Sequence, residues 1–243
     1  MKLNNLIFED NFDKETLDLT KWNIEHAGHG FGNNEWQFYR NDSDNVKIEN
    51  NQLVITAKKE KYEHRYFTSG KITTRSKFSF QYGRVDITAK LPIGQGFWPA
   101  LWMMPEKSKY GWWPSCGEID IMESLGHDPG FIYGTIHYGN PHKYHGPRTR
   151  IENINDFHKY SLIWTEEEII WLIDDLEYGR TANWFSKSYN KEKGLVENEY
   201  PAPFNQEFYL IINLAVGGNF SGYPNKETNF PTSFIIDSVK VYN

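Results

Sequence analysis

The chain has 243 residues, a formal net charge of −6 and one cysteine, Cys116. This length can bury a sizeable core, and we expect one domain over residues 1–243. The weak charge, without any block of like charges, argues against nucleic acid or an anionic membrane as a partner, and a lone cysteine excludes an internal disulfide framework.

Short segments that alternate apolar and polar residues, or that are rich in β-branched residues, recur along the chain. In order they are 53–57, 71–80, 83–91, 117–123, 131–138, 160–165, 168–173, 207–216 and 233–242. Turn sequences such as LPIGQG and HDPG separate them. The pattern predicts an all-β fold, a β-jelly-roll sandwich of two antiparallel sheets with an open cleft. Outside the strands we predict a short helical turn around residues 183–189 and a long surface loop over residues 186–201.

The segment CGEIDIMES, residues 116–124, carries three acids in an apolar strand. Side chains alternate between the two faces of a strand, so Glu118 and Asp120 share a face whereas Glu123 falls on the other. One extra residue at Ile121–Met122, a β-bulge, would return Glu123 to the face of the other two acids. We therefore predict a bulge at this point.

With a bulge, the Cα atoms of the two glutamates would be ~13 Å apart, and their carboxyl groups about 5–6 Å apart. That separation is typical of a retaining glycosidase, and the crowding of three carboxyls should raise at least one pKa. Two alternatives stay open from spacing alone. The strand could present a solvated acidic face, or the three acids could bind Ca²⁺.

Aromatic residues make up 16% of the chain, with 9 tryptophans. Most can be core residues. Flat indole rings also pack against the apolar face of a sugar, so this composition favours carbohydrate binding.

The acidic strand and its flanks resemble the laminarinase-like branch of glycoside hydrolase family 16. The resemblance rests on GEIDIMES, GFWPALWMMP, GWWP, YGTIHYG, YPAPFNQEFYLIINLAVGGNF and FIIDSVKVY, and spans nearly the whole chain. It implies a β-jelly roll and retaining endo-hydrolysis of β-glucans. The bulged form of the strand is typical of the β-1,3-glucanases in this family.

Site residues follow from the same resemblance. Glu118 would be the nucleophile, Glu123 the acid/base, and Asp120 the residue that tunes the nucleophile. The implied substrate-binding residues are Asn34, Lys71, Trp98, Trp102, Trp113, His137 and Asn213, of which the tryptophans could instead be core residues and His137 a structural histidine. Lys71 stands where relatives commonly have arginine, so a point charge replaces a bidentate fork.

Relatives often bind a structural Ca²⁺, and Glu9 and Asp237 match the ligand positions, with a backbone oxygen near Asn51. Either acid alone would be ordinary surface charge. The histidines of NPHKYH, His142 and His145, are expected to be solvated, and catalysis needs no cofactor.

The expected activity is therefore endo-hydrolysis of β-1,3-glucan, with a β-glucan as partner and a monomer as the assembly. Rivals are a mixed-linkage or galactan-active enzyme, a transglycosylase and a noncatalytic glucan-binding module. The substrate favours a secreted or cell-surface location. However, the apolar run in MKLNNLIFEDNF is shorter than the roughly 7–15 residues of a secretory signal, so a cytoplasmic location stays open.

Overall fold

The computed structural model describes residues 4–243, and in this range its regular structure consists of β-strands. The strands are β1 (Leu6–Asp10), β2 (Asn23–Ile24), β3 (Gln37–Tyr39), β4 (Val46–Glu49), β5 (Gln52–Ala57), β6 (Phe67–Ser69), β7 (Lys71–Thr73), β8 (Gly83–Lys90), β9 (Phe97–Pro105), β10 (Glu118–Ser124), β11 (Phe131–Tyr138), β12 (Lys143–His145), β13 (Arg148–Arg150), β14 (Phe157–Trp164), β15 (Ile169–Ile173), β16 (Leu176–Thr181), β17 (Ser186–Asn190), β18 (Gly194–Asn198), β19 (Phe208–Val216) and β20 (Thr232–Tyr242). None of the described residues forms a helix that is long and apolar enough to cross a lipid bilayer.

Two eight-stranded antiparallel sheets form the body of the fold. The site sheet has the order β12-β11-β10-β9-β19-β7-β2, with β13 also paired to β11. The back sheet has the order β16-β15-β14-β8-β20-β5-β4, with β1 also paired to β20. Two small additions are the β17–β18 hairpin and the parallel pair β3–β6. The predicted all-β sandwich is confirmed.

The core lies between the sheets because one face of each strand is apolar. In β8 the buried residues Val85, Ile87 and Ala89 alternate with half-exposed ones. Ile119 of β10 belongs to the same buried cluster, although it comes from the other sheet. Burial of such side chains stabilises the fold by about 1.5–3 kcal/mol each and fixes which face of each strand points outward.

Two tight hairpins have turn residues that suit them. Asn50 and Asn51 join β4 to β5 with φ values of 54° and 56°, and Asp174 and Asp175 join β15 to β16 with φ values of 50° and 65°. A two-residue turn with positive φ at both positions matches the twist of the flanking strands, and Asn and Asp tolerate that conformation.

Three predictions about individual elements are wrong. The segment 71–80 is not one strand, since β7 ends at Thr73 and the chain turns at Ser76, which has a φ of 60°. Residues 186–201 are largely a hairpin rather than a loop, because β17 pairs with β18 over five residue pairs. Residues 183–189 contain no helical turn in this structure, since β17 begins at Ser186.

Candidate active site

The acidic strand β10 has the predicted bulge. Asp120 lies opposite Trp102 of β9 and Met122 lies opposite Leu101, so Ile121 has no partner of its own in the register. Both Ile121 and Met122 are in the core cluster. Two consecutive residues therefore point inward, and Glu123 returns to the outward face.

A tryptophan from the back sheet secures the bulge from within. The fully buried Trp171 donates a hydrogen bond from its indole N–H to the backbone oxygen of Asp120, at 2.8 Å. The residue beside the bulge on β11 is Gly134, where a Cβ atom would come within 2.3 Å of the Trp171 ring. A bulge disrupts the hydrogen-bond ladder, and Trp171 supplies a donor in the space that Gly134 leaves open.

The register also shows which residues share the outward face. Directly opposed residues on antiparallel strands point to the same side. Glu123 lies opposite Ala100 on β9 and Tyr133 on β11, while Ala100 lies opposite Asn213, which lies opposite Lys71. One row thus crosses five strands on the outward face of the site sheet.

Each glutamate accepts a hydrogen bond from a tryptophan. The indole of Trp113 donates to Glu118 at 2.9 Å, and that of Trp98 donates to Glu123 at 3.0 Å. Neither ring belongs to the core cluster, and Trp102 does not either. The alternative that these tryptophans are core residues is therefore wrong, and the N–H groups of Trp98 and Trp113 hold the two carboxyls in place.

His137 lies between two of the acids. Its Nε2 atom is 3.7 Å from a Glu118 oxygen and 3.4 Å from Asp120 Oδ2. The three groups could hold a metal ion, because their donor atoms lie within 4.8 Å of one another. An imidazole among the donors suits Zn²⁺ better than Ca²⁺, which prefers oxygen ligands. This group contains His137 in place of Glu123, so it differs from the three-acid Ca²⁺ site considered as an alternative.

All three carboxyls have raised pKa values. Burial is the main cause, and it raises the pKa of Glu123 to about 8, with the neighbouring Asp120 adding to the shift. Burial and the charges of Asp120 and Glu123 also raise the pKa of Glu118 to about 8. Glu118 still exposes 17% of its side chain whereas Asp120 exposes 4%. Water therefore stabilises an ionised Glu118 more than an ionised Asp120.

Lys71 and Asn213 form a second cluster on the same face. Asn213 accepts a hydrogen bond from the Trp102 indole at 2.6 Å and donates one to the hydroxyl of Tyr39 at 3.1 Å. The Lys71 ammonium lies 5.2 Å from the centre of the Trp102 ring. Burial lowers the pKa of Lys71, although the charge of the nearby Glu35 opposes this effect.

Glu35 was not predicted from the sequence. It is 5% exposed and accepts a hydrogen bond from Gln37 at 2.5 Å. Burial raises its pKa. The predicted Asn34 precedes it, is exposed, and donates a hydrogen bond to Asn219 at 3.1 Å. A role of Asn34 in substrate binding stays a prediction.

The prediction that both histidines are solvated is wrong for His145 and incomplete for His142. His145 is half-buried and lies 2.6 Å from the hydroxyl of Thr181. His142 is exposed, but its Nε2 atom lies 3.0 Å from Nδ1 of His137. The spacing of the histidines does not predict this contact, because the β11–β12 turn creates it.

His142 can determine which nitrogen of His137 is protonated. Burial, and next the charge of a protonated His137, lower the pKa of His142, so the neutral form of His142 is favoured. If His142 donates, the proton of His137 lies on Nε2, which is 3.4 Å from Asp120 Oδ2, a buried atom that has no hydrogen-bond partner. We assign this arrangement because it supplies the missing donor.

Replacing His142 with alanine is therefore expected to lower kcat about 2- to 10-fold with little change in KM. A decrease of this size corresponds to the loss of one hydrogen bond. Steady-state kinetics of His142→Ala on the polysaccharide substrate measure this effect. His142→Gln, which keeps an N–H donor, should recover part of the loss, and Lys143→Ala, an exposed neighbour, should behave as the parent. A rise in KM alone would contradict the assignment.

Residues 33–220 match the sequence pattern of the family described as Glycosyl hydrolases family 16. The chain belongs to this family.

Among curated relatives of this family 16 chain, glucan endo-1,3-beta-glucosidase A1 of Niallia circulans is 42% identical over 98% of the chain. The beta-glucanase of Rhodothermus marinus is 40% identical over 98% of the chain. The chain spans 38% of the length of the former and 84% of the latter. The solved laminarinase of Rhodothermus marinus superimposes with a TM-score of 0.87 and 38% identity, covering 98% of this chain and 97% of that one.

The residues suggested as calcium ligands in the family 16 chain lie on neighbouring strands of the back sheet, β1 and β20. Glu9 forms an ion pair with Lys240 at 3.1 Å, and the exposed Asp237 accepts a hydrogen bond from Gln52 at 3.3 Å. Two carboxylates offer the oxygen ligands that Ca²⁺ prefers, but an ion would compete with Lys240 for Glu9. Their role in metal binding stays a prediction.

Proposed function

We propose that this chain is an endo-acting retaining β-glucan hydrolase that cleaves β-1,3-glucosidic bonds in laminarin-type polysaccharides. The observation that carries the proposal is the bulge at Ile121, which puts Glu118, Asp120 and Glu123 on one face. Half-exposed tryptophans hydrogen-bond the two glutamates and offer flat surfaces for sugar rings. The activities named for the relatives agree with this assignment.

In the first step the Glu118 carboxylate attacks the anomeric carbon. The bond from that carbon to the glycosidic oxygen breaks, and the departing oxygen takes the proton of Glu123. A covalent glycosyl-enzyme on Glu118 remains, and Glu123 is now ionised.

In the second step water attacks the same carbon from the side that the leaving group vacated. Glu123 takes a proton from the water, and Glu118 departs as a carboxylate. Two inversions give net retention, and Glu123 ends protonated as it began. No cofactor takes part in either step.

Asp120 and His137 adjust the charge of the nucleophile. Burial raises the pKa of Asp120 to about 8, close to that of Glu118, and because Glu118 is the more exposed of the two we assign the charge to Glu118 and the proton to Asp120. His137, 3.7 Å from Glu118, favours the ionised nucleophile when it is itself protonated. The three acids titrate as a set, so these roles describe the dominant proton arrangement.

The pH dependence of kcat/KM should be bell-shaped. Activity falls above about pH 8, because Glu123 must be protonated to act as an acid and its pKa is raised to about 8. Activity falls at low pH because Glu118 must be ionised. The hydrogen bond from Trp113 lowers the pKa of Glu118, so Trp113→Phe should move the acid limb to higher pH.

A pH series on laminarin measures both limbs. The matched control is Trp112→Phe, since Trp112 is adjacent in sequence and 89% exposed. An acid limb that is unmoved in Trp113→Phe, or moved equally in both variants, would contradict the role given to the Trp113 hydrogen bond.

The substrate assignment is tested by reducing-sugar release on laminarin, lichenan and agarose side by side. We expect laminarin to be cut fastest, with oligosaccharides of several lengths appearing together because the cuts are internal. Faster release from lichenan or agarose would instead favour the mixed-linkage or galactan-active alternative. No release from any of the three would favour a noncatalytic binding module. The monomeric state and export from the cell stay predictions.

We also propose a structural Ca²⁺ ion held by Glu9 and Asp237. Calcium in excess over its Kd should then raise the midpoint of thermal unfolding by at least about 3 °C, and a chelator should reverse the rise. Asp237→Asn should abolish the response. An identical midpoint with calcium and with the chelator would contradict this site.

A further inference from the structure

Two arginines lie at the edge of the outward face, beyond the acid/base residue. β13 pairs with β11, so that Arg148 lies opposite Tyr133 and Arg150 lies opposite Phe131. Tyr133 in turn lies opposite Glu123. Strands are about 4.8 Å apart, so the backbone of Arg148 is about 10 Å from that of Glu123, in the same row and on the same face.

Both side chains lie over one aromatic ring. The guanidinium carbons of Arg148 and Arg150 are 5.2 Å and 5.6 Å from the centre of the Phe131 ring. Phe131 is half-exposed on the outward face, as expected for its place in the alternation of β11. The side-chain contacts thus agree with the register, and both positive charges belong to the outward face.

The positive charges of these arginines are not neutralised by the protein. Across residues 4–243 no carboxylate oxygen lies within 4.0 Å of either guanidinium, whereas Arg40, Arg84 and Arg180 all form ion pairs. Both residues are exposed. In a chain of net charge −6, two free guanidinium groups on one strand form a local positive patch.

The strand that carries them is held at both ends. The backbone N–H of Gly134 donates to the oxygen of Pro147 at 3.0 Å, and that of Ile151 donates to the oxygen of Gly130 at 2.7 Å. Arg150 lines an open groove of about 750 Å³ together with residues 129–130 and 151–155, of which Glu152 is the one acid. The arginines are thus fixed in position next to a space that can receive part of a polymer.

We propose that Arg148 and Arg150 bind an anionic substituent, a sulfate ester or a carboxylate, on the part of the glucan that extends past Glu123. This inference rests on the proposed function, which puts the first oxygen of the leaving chain at Glu123, in the row that leads through Tyr133 to Arg148. Guanidinium groups bind carboxylates and sulfate-like oxyanions through paired charge-assisted hydrogen bonds. The chain would thus favour charged glucans over neutral ones.

The test compares kcat/KM on laminarin, partially sulfated laminarin and carboxymethylated laminarin at low salt. In Arg148→Gln/Arg150→Gln, the ratio of kcat/KM on a charged polymer to that on laminarin should fall at least about tenfold. The charged polymer, sulfated or carboxymethylated, for which this kcat/KM ratio falls more in the variant carries the preferred anion. Screening by about 0.5 M salt should reduce the same ratio in the parent protein.

Two controls separate charge from geometry. Arg148→Lys/Arg150→Lys keeps the charge and should retain part of the preference, whereas Arg180→Gln removes a guanidinium from the back sheet and should leave the ratio unchanged. A ratio that is equal in the parent and in the double glutamine variant would overturn the inference. If the parent cuts none of the polymers, the proposed function fails, and Kd values for the three polymers from affinity electrophoresis then decide whether the arginines bind the charged ones.

Discussion

Replacing Glu118 with alanine is expected to lower kcat on laminarin by at least about 10⁴-fold, because no covalent intermediate can form without the nucleophile. The fold should persist. Burial and two neighbouring acids raise the pKa of Glu118, which means that its charge is disfavoured in the folded protein near neutral pH. The variant should therefore unfold at the same temperature as the parent or higher, and calorimetry beside the kinetics measures this.

Adding azide distinguishes the loss of the nucleophile alone from general damage to the active site. In Glu118→Ala, azide can enter the vacated space and attack an activated β-glucosyl donor directly, which inverts the anomeric carbon and gives an α-glycosyl azide. Glu192→Ala, an exposed turn residue, should retain parent activity and form no azide product. Turnover of Glu118→Ala close to that of the parent, without azide, would remove Glu118 from the mechanism.

Replacing Glu123 with glutamine is expected to lower kcat/KM on laminarin about 10²- to 10⁴-fold, the usual worth of general acid catalysis. The loss should depend on the leaving group. An aryl glycoside with a good leaving group needs no proton, so its first step should be nearly as fast in Glu123→Gln as in the parent. The basic limb of the pH profile should also disappear, since the acid that must stay protonated for the first step is gone.

The leaving-group comparison also identifies the outcome that contradicts this role. An equal loss on laminarin and on the activated substrate would mean that Glu123 positions the sugar rather than donating a proton. Trp98→Phe is the matched variant. It removes the hydrogen bond to Glu123 at 3.0 Å but keeps an aromatic ring and the carboxyl group. It should shift the basic limb to higher pH, because that hydrogen bond lowers the pKa of Glu123, and leave a measurable acid contribution.

The sequence was sufficient for features that depend on local alternation. Side chains alternate between the two faces of a strand, which predicts the face of each residue in the first part of β10. Regular alternation would put Glu123 on the other face from Glu118 and Asp120, and this conflict predicts the bulge. Most long strands were predicted because one of their faces is apolar. The strand β9 carries Pro99, and without regular alternation it did not stand out as a strand.

Features that depend on register and turns could not be predicted. The β17–β18 hairpin buries no apolar face, and its pairing is helped by Asn198, whose amide donates to Ser186 at 2.9 Å and to Ser188 at 3.0 Å. The contact of His142 with His137 depends on how one turn brings β12 back along β11. The bond from Trp171 to Asp120 joins residues 51 positions apart. None of these leaves a periodic signal in the sequence.

The most direct test of the central claim is to trap the covalent intermediate. A 2-deoxy-2-fluoro laminari-oligosaccharide with an activated leaving group should accumulate as a glycosyl-enzyme, since the fluorine slows the second step more than the good leaving group slows the first. Mass spectrometry of the digested protein is predicted to find the sugar on Glu118. A label on Asp120 or Glu123, or inactivation without any covalent sugar, would contradict the assignment.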